Sequence, residues 1–300
     1  MLTRHAQRDL VWVDLANPSS AEVRQVMQEF QLDPVIAEEL LTPSFKPKVE
    51  RRGETVFLIL HFPSMRTLSS RPEHEIDFVV GKHFLITTRY ESVDPLHIFA
   101  KALEVKTVLG RQEATHGGHL FVEMVRTLYQ AVGNECDTLQ QRLQTIEENI
   151  FKGNERQMVI ELSQMGRILF DFREALLPHK DIIDSLEPAG ARLFGASFGY
   201  HVHTLQGAYI RIAHTLQHLR DSLQEMRETN NSLLTTKQND TMKTLTVLAF
   251  LFLPLSFVAS LFGMSNIPLA STPPGFWQAA GMMLVLALSC LVYFKRKGWL

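Results

Sequence analysis

Three hundred residues with a formal charge of only −2 allow one sizeable soluble domain or two small ones, and give no overall electrostatic case for binding nucleic acid. Only two cysteines are present, Cys136 and Cys290, the second in a predicted span, so a disulfide framework is not expected and a reducing compartment fits. The opening Met1-Leu2-Thr3-Arg4-His5 lacks the apolar core of a secretion signal, so everything before residue 240 is expected in the cytoplasm.

Val11-Trp12-Val13-Asp14-Leu15 reads as a short buried strand, and Asn17-Pro18-Ser19-Ser20 supplies turn and cap chemistry for a helix from about Ala21 to Phe30. Asp33-Pro34 caps a second helix through Leu41. Lys46 to Arg52 and Thr55 to Phe62 flank a Gly53-Glu54 turn. Val56 to Leu60 is too continuously apolar for a one-sided strand and is expected centrally in a sheet. Ile76 to Val80 and His83 to Thr88 around Gly81-Lys82 read as a hairpin. Asp94-Pro95 opens a helix through about Val105. These alternations predict an α/β unit with a mixed sheet.

Gly117-Gly118 marks a joint, with His116-Gly117-Gly118-His119 read as a loop. Leu120, Met124, Leu128 and Val132 then begin a long helix to about Ile150, and another runs from Glu155 to Leu177, ended by Pro178. Leu205, Ile212, Leu219, Met226 and Leu233 recur every seven residues, and no proline occurs between Pro188 and Pro254. A single helix from about Phe198 to Phe262 is predicted, packed lengthwise on helices of its own domain or of neighbouring copies.

Leu245 to Phe262 is eighteen residues without a charge, and Phe276 to Phe294 is nineteen more. At about 1.5 Å per residue each helix reaches roughly 27 to 29 Å, enough to cross a bilayer. Lys237 and Lys243 precede the first run, Lys295-Arg296-Lys297 closes the second, and the linker Gly263 to Gly275 is uncharged. This pattern keeps both chain ends in the cytoplasm and sends the loop across. A hairpin buried in a large soluble domain is the rival reading, which the basic flanks and the end-placed Trp277, Tyr293 and Trp299 oppose. The expected layout is a cytoplasmic α/β domain over 1–115, a helical region and stalk over 116–244, and a transmembrane hairpin over 245–300 with spans near 245–262 and 276–294.

Away from the heptad seam lie Glu228, Ser232, Thr235, Asn239, Met242, Thr246, Ala249, Leu253, Ser256 and Ser260, spaced alternately four and three. One reading is a solvated face below the membrane and small-residue packing within it. The other is a pore wall, whose hydroxyls and amides touch water and whose bulky apolar side chains close by dewetting.

Asn239-Asp240-Thr241-Met242-Lys243-Thr244-Leu245-Thr246, then Phe252-Leu253-Pro254-Leu255-Ser256-Phe257 and Phe262-Gly263-Met264, resembles the first membrane helix of the CorA magnesium transporter family. The ending Tyr293-Phe294-Lys295-Arg296-Lys297-Gly298-Trp299-Leu300 resembles that family's C-terminus. Weaker similarity runs through Trp12-Val13-Asp14-Leu15, Lys46 to Glu50, Glu75 to Gly81 and Thr87-Thr88-Arg89. The resemblance implies an α+β membrane protein assembled as a CorA-like funnel pentamer in the cell (inner) membrane. It would pass a divalent cation, most readily Mg2+ and also Co2+ or Ni2+, with Mg2+ doubling as the regulatory ion and no organic cofactor. By the same resemblance Asn239, Met242, Leu245, Leu253 and Ser256 line the pore and Glu228 faces the cytoplasmic vestibule. Leu245 replaces Thr246, the choice of strict spacing. The carboxylates that would bind a regulatory cation are not placed.

The family signature at the end of the pore helix is Gly-Met-Asn, whereas this chain reads Gly263-Met264-Ser265-Asn266. Either a serine is inserted and Asn266 faces the entrance, or Ser265 replaces the amide. Two other readings stay open. One is a ZntB-like zinc transporter, and His201, His203, His214 and His218 add metal-binding side chains at helical spacing. The other is a membrane-tethered sensor or scaffold. No phosphate-binding glycine loop, nucleophile elbow or HExxH appears, so an enzyme is not expected.

Overall fold

The computed structural model describes residues 1–7, 9–44, 46–63, 73–91, 93–108, 114–195, 197–263 and 273–299. Packing divides the chain into two compact units, Met1–Met226 and Arg227–Leu300.

The first unit is built on six strands: β1 (Leu2–Gln7), β2 (Leu10–Ala16), β3 (Lys48–Arg52), β4 (Thr55–Pro63), β5 (Glu73–Val80) and β6 (Phe84–Arg89), in spatial order β1-β2-β6-β5-β4-β3. All pairs are antiparallel except β2 with β6, which makes the sheet mixed, as expected. β1 lacks an apolar run and is not legible in the sequence. It pairs only with β2 and forms one edge. β4 lies one place in from the other edge rather than at the centre. Its unbroken apolar run reflects helices on both faces.

On one face α1 (Ser20–Phe30) and α2 (Pro34–Glu39) cover the sheet. Ser19 caps α1 in a reciprocal box with Glu22, and Gln31 ends it in the left-handed region at φ 52°. Asp33 caps α2, with Pro34 in the first turn, where its missing N–H costs nothing. Val23, Val26, Ile36 and Leu40 pack there on Val13, Leu15, Phe57, Ile59, Val79 and Ile86.

The opposite face meets α3 (Asp94–Val108), α4 (Gly117–Phe151), α5 (Glu155–Leu176) and α6 (His179–Phe194). Phe78 of β5 meets Phe121 of α4 edge-on at 5.1 Å, and Trp12 of β2 meets Phe99 of α3 at 5.6 Å. The parallel β2–β6 join holds a buried ion pair. Asp14 accepts from Arg89 Nη2 at 3.0 Å and Thr87 Oγ1 at 2.8 Å, and Trp12 Nε1 donates to Thr87 Oγ1 at 2.9 Å.

His116-Gly117-Gly118-His119 is not a loop. His116 is the N-cap of α4, its side chain accepting from the His119 N–H, and the glycines form the first turn. Gly117 is needed for close approach: its N–H donates to the Lys82 carbonyl at 2.9 Å, and a Cβ would collide with the carbonyl oxygens of Gly81 and Phe84. α6 also departs from expectation, because Pro178 reads as a stop and Pro188 lies inside the helix. α7 (Ser197–Gly263) runs without interruption, and α8 is Pro273–Arg296. The heptad residues Leu205, Ile212, Leu219 and Met226 are buried in the first unit, so that part of the seam packs on its own domain.

Candidate functional site

The second unit holds the end of α7 and all of α8, each with a stretch long and apolar enough to cross a membrane. Pro254 sits inside α7. Having no N–H, it leaves the Phe250 carbonyl without its helical donor, and Cys290 Sγ of α8 lies 3.9 Å from that oxygen. Phe250 also meets Phe294 at 6.0 Å between ring centroids. A carbonyl freed in an apolar segment thus acquires a donor from the facing helix.

This contact fixes the phase of α7. Val247 and Val258, eleven residues apart, are its buried apolar residues in this stretch. At 3.6 residues per turn, Met242, Leu245, Leu253 and Ser256 lie about 130 to 170° around the helix from them, and Asn239 about 90°. Leu253 is 71% exposed, Met242 58% and Leu245 57%, while Asn239, Ser256 and Glu228 are exposed as well. Thr246 departs from the row that strict spacing draws: it is half-buried, lines the groove beside α8, and donates to the Met242 carbonyl at 2.7 Å. Gly263 ends α7, and Met264, Ser265 and Asn266 lie outside the described residues. The exposed row is an apolar and hydroxyl-bearing surface on the side of α7 away from its buried valines.

The histidines singled out in the sequence do not converge. His203 Nε2 sits 3.8 Å from Glu187, and His214 and His218 are exposed on α7. His201 instead stacks on His119 at 4.2 Å, a contact that no sequence spacing signals. His116 is close by, and burial, with the His119 and His201 charges behind it, lowers its pKa to about 4. Among the described residues no group of three or more His, Cys, Asp or Glu has an arrangement that would hold a metal ion.

Inward-facing carboxyls do meet in the first unit. Glu75 accepts from the Ser44 N–H at 2.7 Å and lies 3.2 Å from His61 Nε2, while Tyr90 donates to Asp77 at 3.0 Å. Burial, then the Glu75 charge, raises the Asp77 pKa well above the usual carboxylate value. Asp77 and His61 are buried in the α/β domain, with Glu75 and Tyr90 half-buried beside them.

The chain thus combines an α/β domain with a mixed sheet, a long helix and two stretches long and apolar enough to cross a membrane. The CorA-like Mg2+ transporter protein family matches residues 7–296. The chain therefore belongs to that family, whose members transport divalent cations and are not enzymes. It is 23% identical to the cobalt/magnesium transport protein CorA of Thermotoga maritima over 293 residues, 96% of this chain and 83% of that one. It is 25% identical to the zinc transport protein ZntB of Yersinia pseudotuberculosis, over 96% of this chain and 86% of that protein. In fold it matches the complete structure of the CorA magnesium transporter from Methanocaldococcus jannaschii, with a TM-score of 0.84 at 19% identity, covering 99% and 93% of the two chains.

Proposed function

We propose that this divalent-cation transporter conducts Mg2+ first, with Co2+ or Ni2+ as further substrates, through a homopentameric pore in the cell (inner) membrane lined by α7. The observation that carries the reading is the exposed row on α7 turned away from its buried valines, in a chain matched by the family over nearly its whole length. Asn239 stands at the inner mouth, Met242, Leu245 and Leu253 form apolar constrictions, Ser256 offers a hydroxyl between them and the entrance, and Glu228 faces the vestibule. Both chain ends lie in the cytoplasm. A divalent cation bound between neighbouring soluble domains holds the pore shut, and its loss opens it.

Selectivity falls to Gly263-Met264-Ser265-Asn266. Mg2+ gives up its water reluctantly, so acceptors that hold the hydrated ion serve better than ligands that strip it. An amide oxygen reaches farther than a serine hydroxyl. Liposomes loaded with a Mg2+ indicator test this with Ser265→Ala and Asn266→Ala: selective loss of uptake in one variant identifies the filter residue, and unchanged uptake in both rejects this filter. Similarity to ZntB supports a second reading, a zinc transporter, which predicts that zinc displaces magnesium and that a proton gradient alters uptake. A monomer or dimer without ion flux would instead make the chain a membrane-tethered sensor or scaffold.

A further inference from the structure

Between α7 and α8, at the basic end of the hairpin, lies a groove of about 510 Å³ lined by Thr246, Phe250, Cys290 and Phe294, with Lys297 and Trp299 among its remaining walls. The hydroxyls of Thr246 and Ser289 and the thiol of Cys290 are already engaged. Thr246 donates to the Met242 carbonyl at 2.7 Å and Ser289 to the Val285 carbonyl at 2.7 Å, while the Cys290 thiol faces the Phe250 carbonyl. The walls therefore offer little to a polar solute and suit hydrocarbon.

One cation is fixed beside it. α8 closes in a left-handed glycine cap: Gly298 has φ 69°, its N–H donates to the Lys295 carbonyl, and the Trp299 N–H donates to the Phe294 carbonyl. This fold-back brings Trp299 to 5.8 Å from Phe294 and leaves Lys297 Nζ 5.7 Å from the Tyr293 ring and 5.8 Å from the Trp299 ring. Two aromatic faces steady the ammonium without neutralising it. No acidic side chain lies between Asp240 and Leu300, and Lys295 and Arg296 add positive charge at the same end.

We infer that the groove between α7 and α8 is a binding site for one anionic phospholipid, its acyl chain lying along Phe250 and Phe294 and its phosphate meeting Lys297 between Tyr293 and Trp299. A steadied cation above an apolar slot is complementary to that amphiphile, because basic residues at the end of a span meet lipid headgroups. The site depends on the hairpin lying in a bilayer and is independent of which ion the protein carries.

Cys290 supplies the readout, because it lines the groove while Cys136, the other thiol, is fully buried. Maleimide labelling of the full chain, purified in detergent and stripped of lipid, is followed with dioleoyl phosphatidylglycerol, dioleoyl phosphatidylcholine or glycerol phosphate added. Phosphatidylglycerol is expected to slow labelling of Cys290 at least fivefold, and the other two to leave it nearly unchanged. Lys297→Gln weakens that protection about fivefold, the effect of one basic residue at an anionic surface, whereas Lys295→Gln retains it. Equal protection by both lipids overturns the site, as does protection by glycerol phosphate or equal loss in the two variants. A Cys290 that resists labelling in lipid-free protein also overturns it, since a second copy would then cover the groove.

Discussion

His179 joins three elements of the α/β domain through one ring. Its Nε2 lies 2.8 Å from the His61 carbonyl of β4 and its Nδ1 2.8 Å from the Tyr129 hydroxyl of α4. A neutral imidazole with its proton on Nε2 satisfies both partners. Burial is the main cause that lowers its pKa to about 4 from 6.5. The folded value lies below the unfolded one, so this contribution is full above pH 6.5 and is lost as pH falls toward 4. The loss amounts to about 3 kcal/mol. Thermal melts of the full chain in detergent are expected to drop across that window, and His179→Gln should flatten the slope; an unchanged slope would assign the titration elsewhere. None of this is legible in the sequence, because a histidine following a proline gives no hint of a carbonyl 118 residues away. The caps Ser19 and Asp33 are legible, since a cap acts within a few residues of itself.

At the scale of elements, α4 contains two glycines whose replacement should act in opposite directions. Gly117→Ala forces a methyl into the Gly81 and Phe84 carbonyls, and overpacking of that kind costs about 1 to 3 kcal/mol. Gly133, in the same helix, has nothing within 4 Å of where a methyl would project, so Gly133→Ala should stabilise by about 0.5 to 1 kcal/mol through helix propensity alone. Melting temperatures of the two variants check the signs. On α7, Met242→Ala or Leu253→Ala is expected to raise ion leak in liposomes several-fold if these side chains close the conduit by dewetting. Unchanged flux would remove them from the gate. Periodicity locates α4, α5 and α7 because burial repeats along them. It misses α6, where Pro178 and Pro188 imitate breaks, and β1, whose pairing with β2 needs no apolar run of its own.

For the whole molecule, the assembly reading makes a plain demand: native mass measurement in detergent should give five chains, about 170 kDa of protein from subunits of 34.2 kDa. One or two chains would leave the exposed row on α7 without an axis to surround. Charge and hydropathy reveal the two spans because bilayer thickness sets their length. The mixed sheet is legible only as a class. Its strand order depends on β2 lying parallel to β6, and Asp14 and Thr87 at that join are 73 residues apart. β3 to β6 pair each with the next and can assemble as they emerge from the ribosome. β2 can pair early with β1, but its other edge waits for β6. Until β6 has been made, that edge keeps backbone N–H and C=O groups unpaired on a growing chain, and that interval of synthesis is when the protein most needs protection from aggregation.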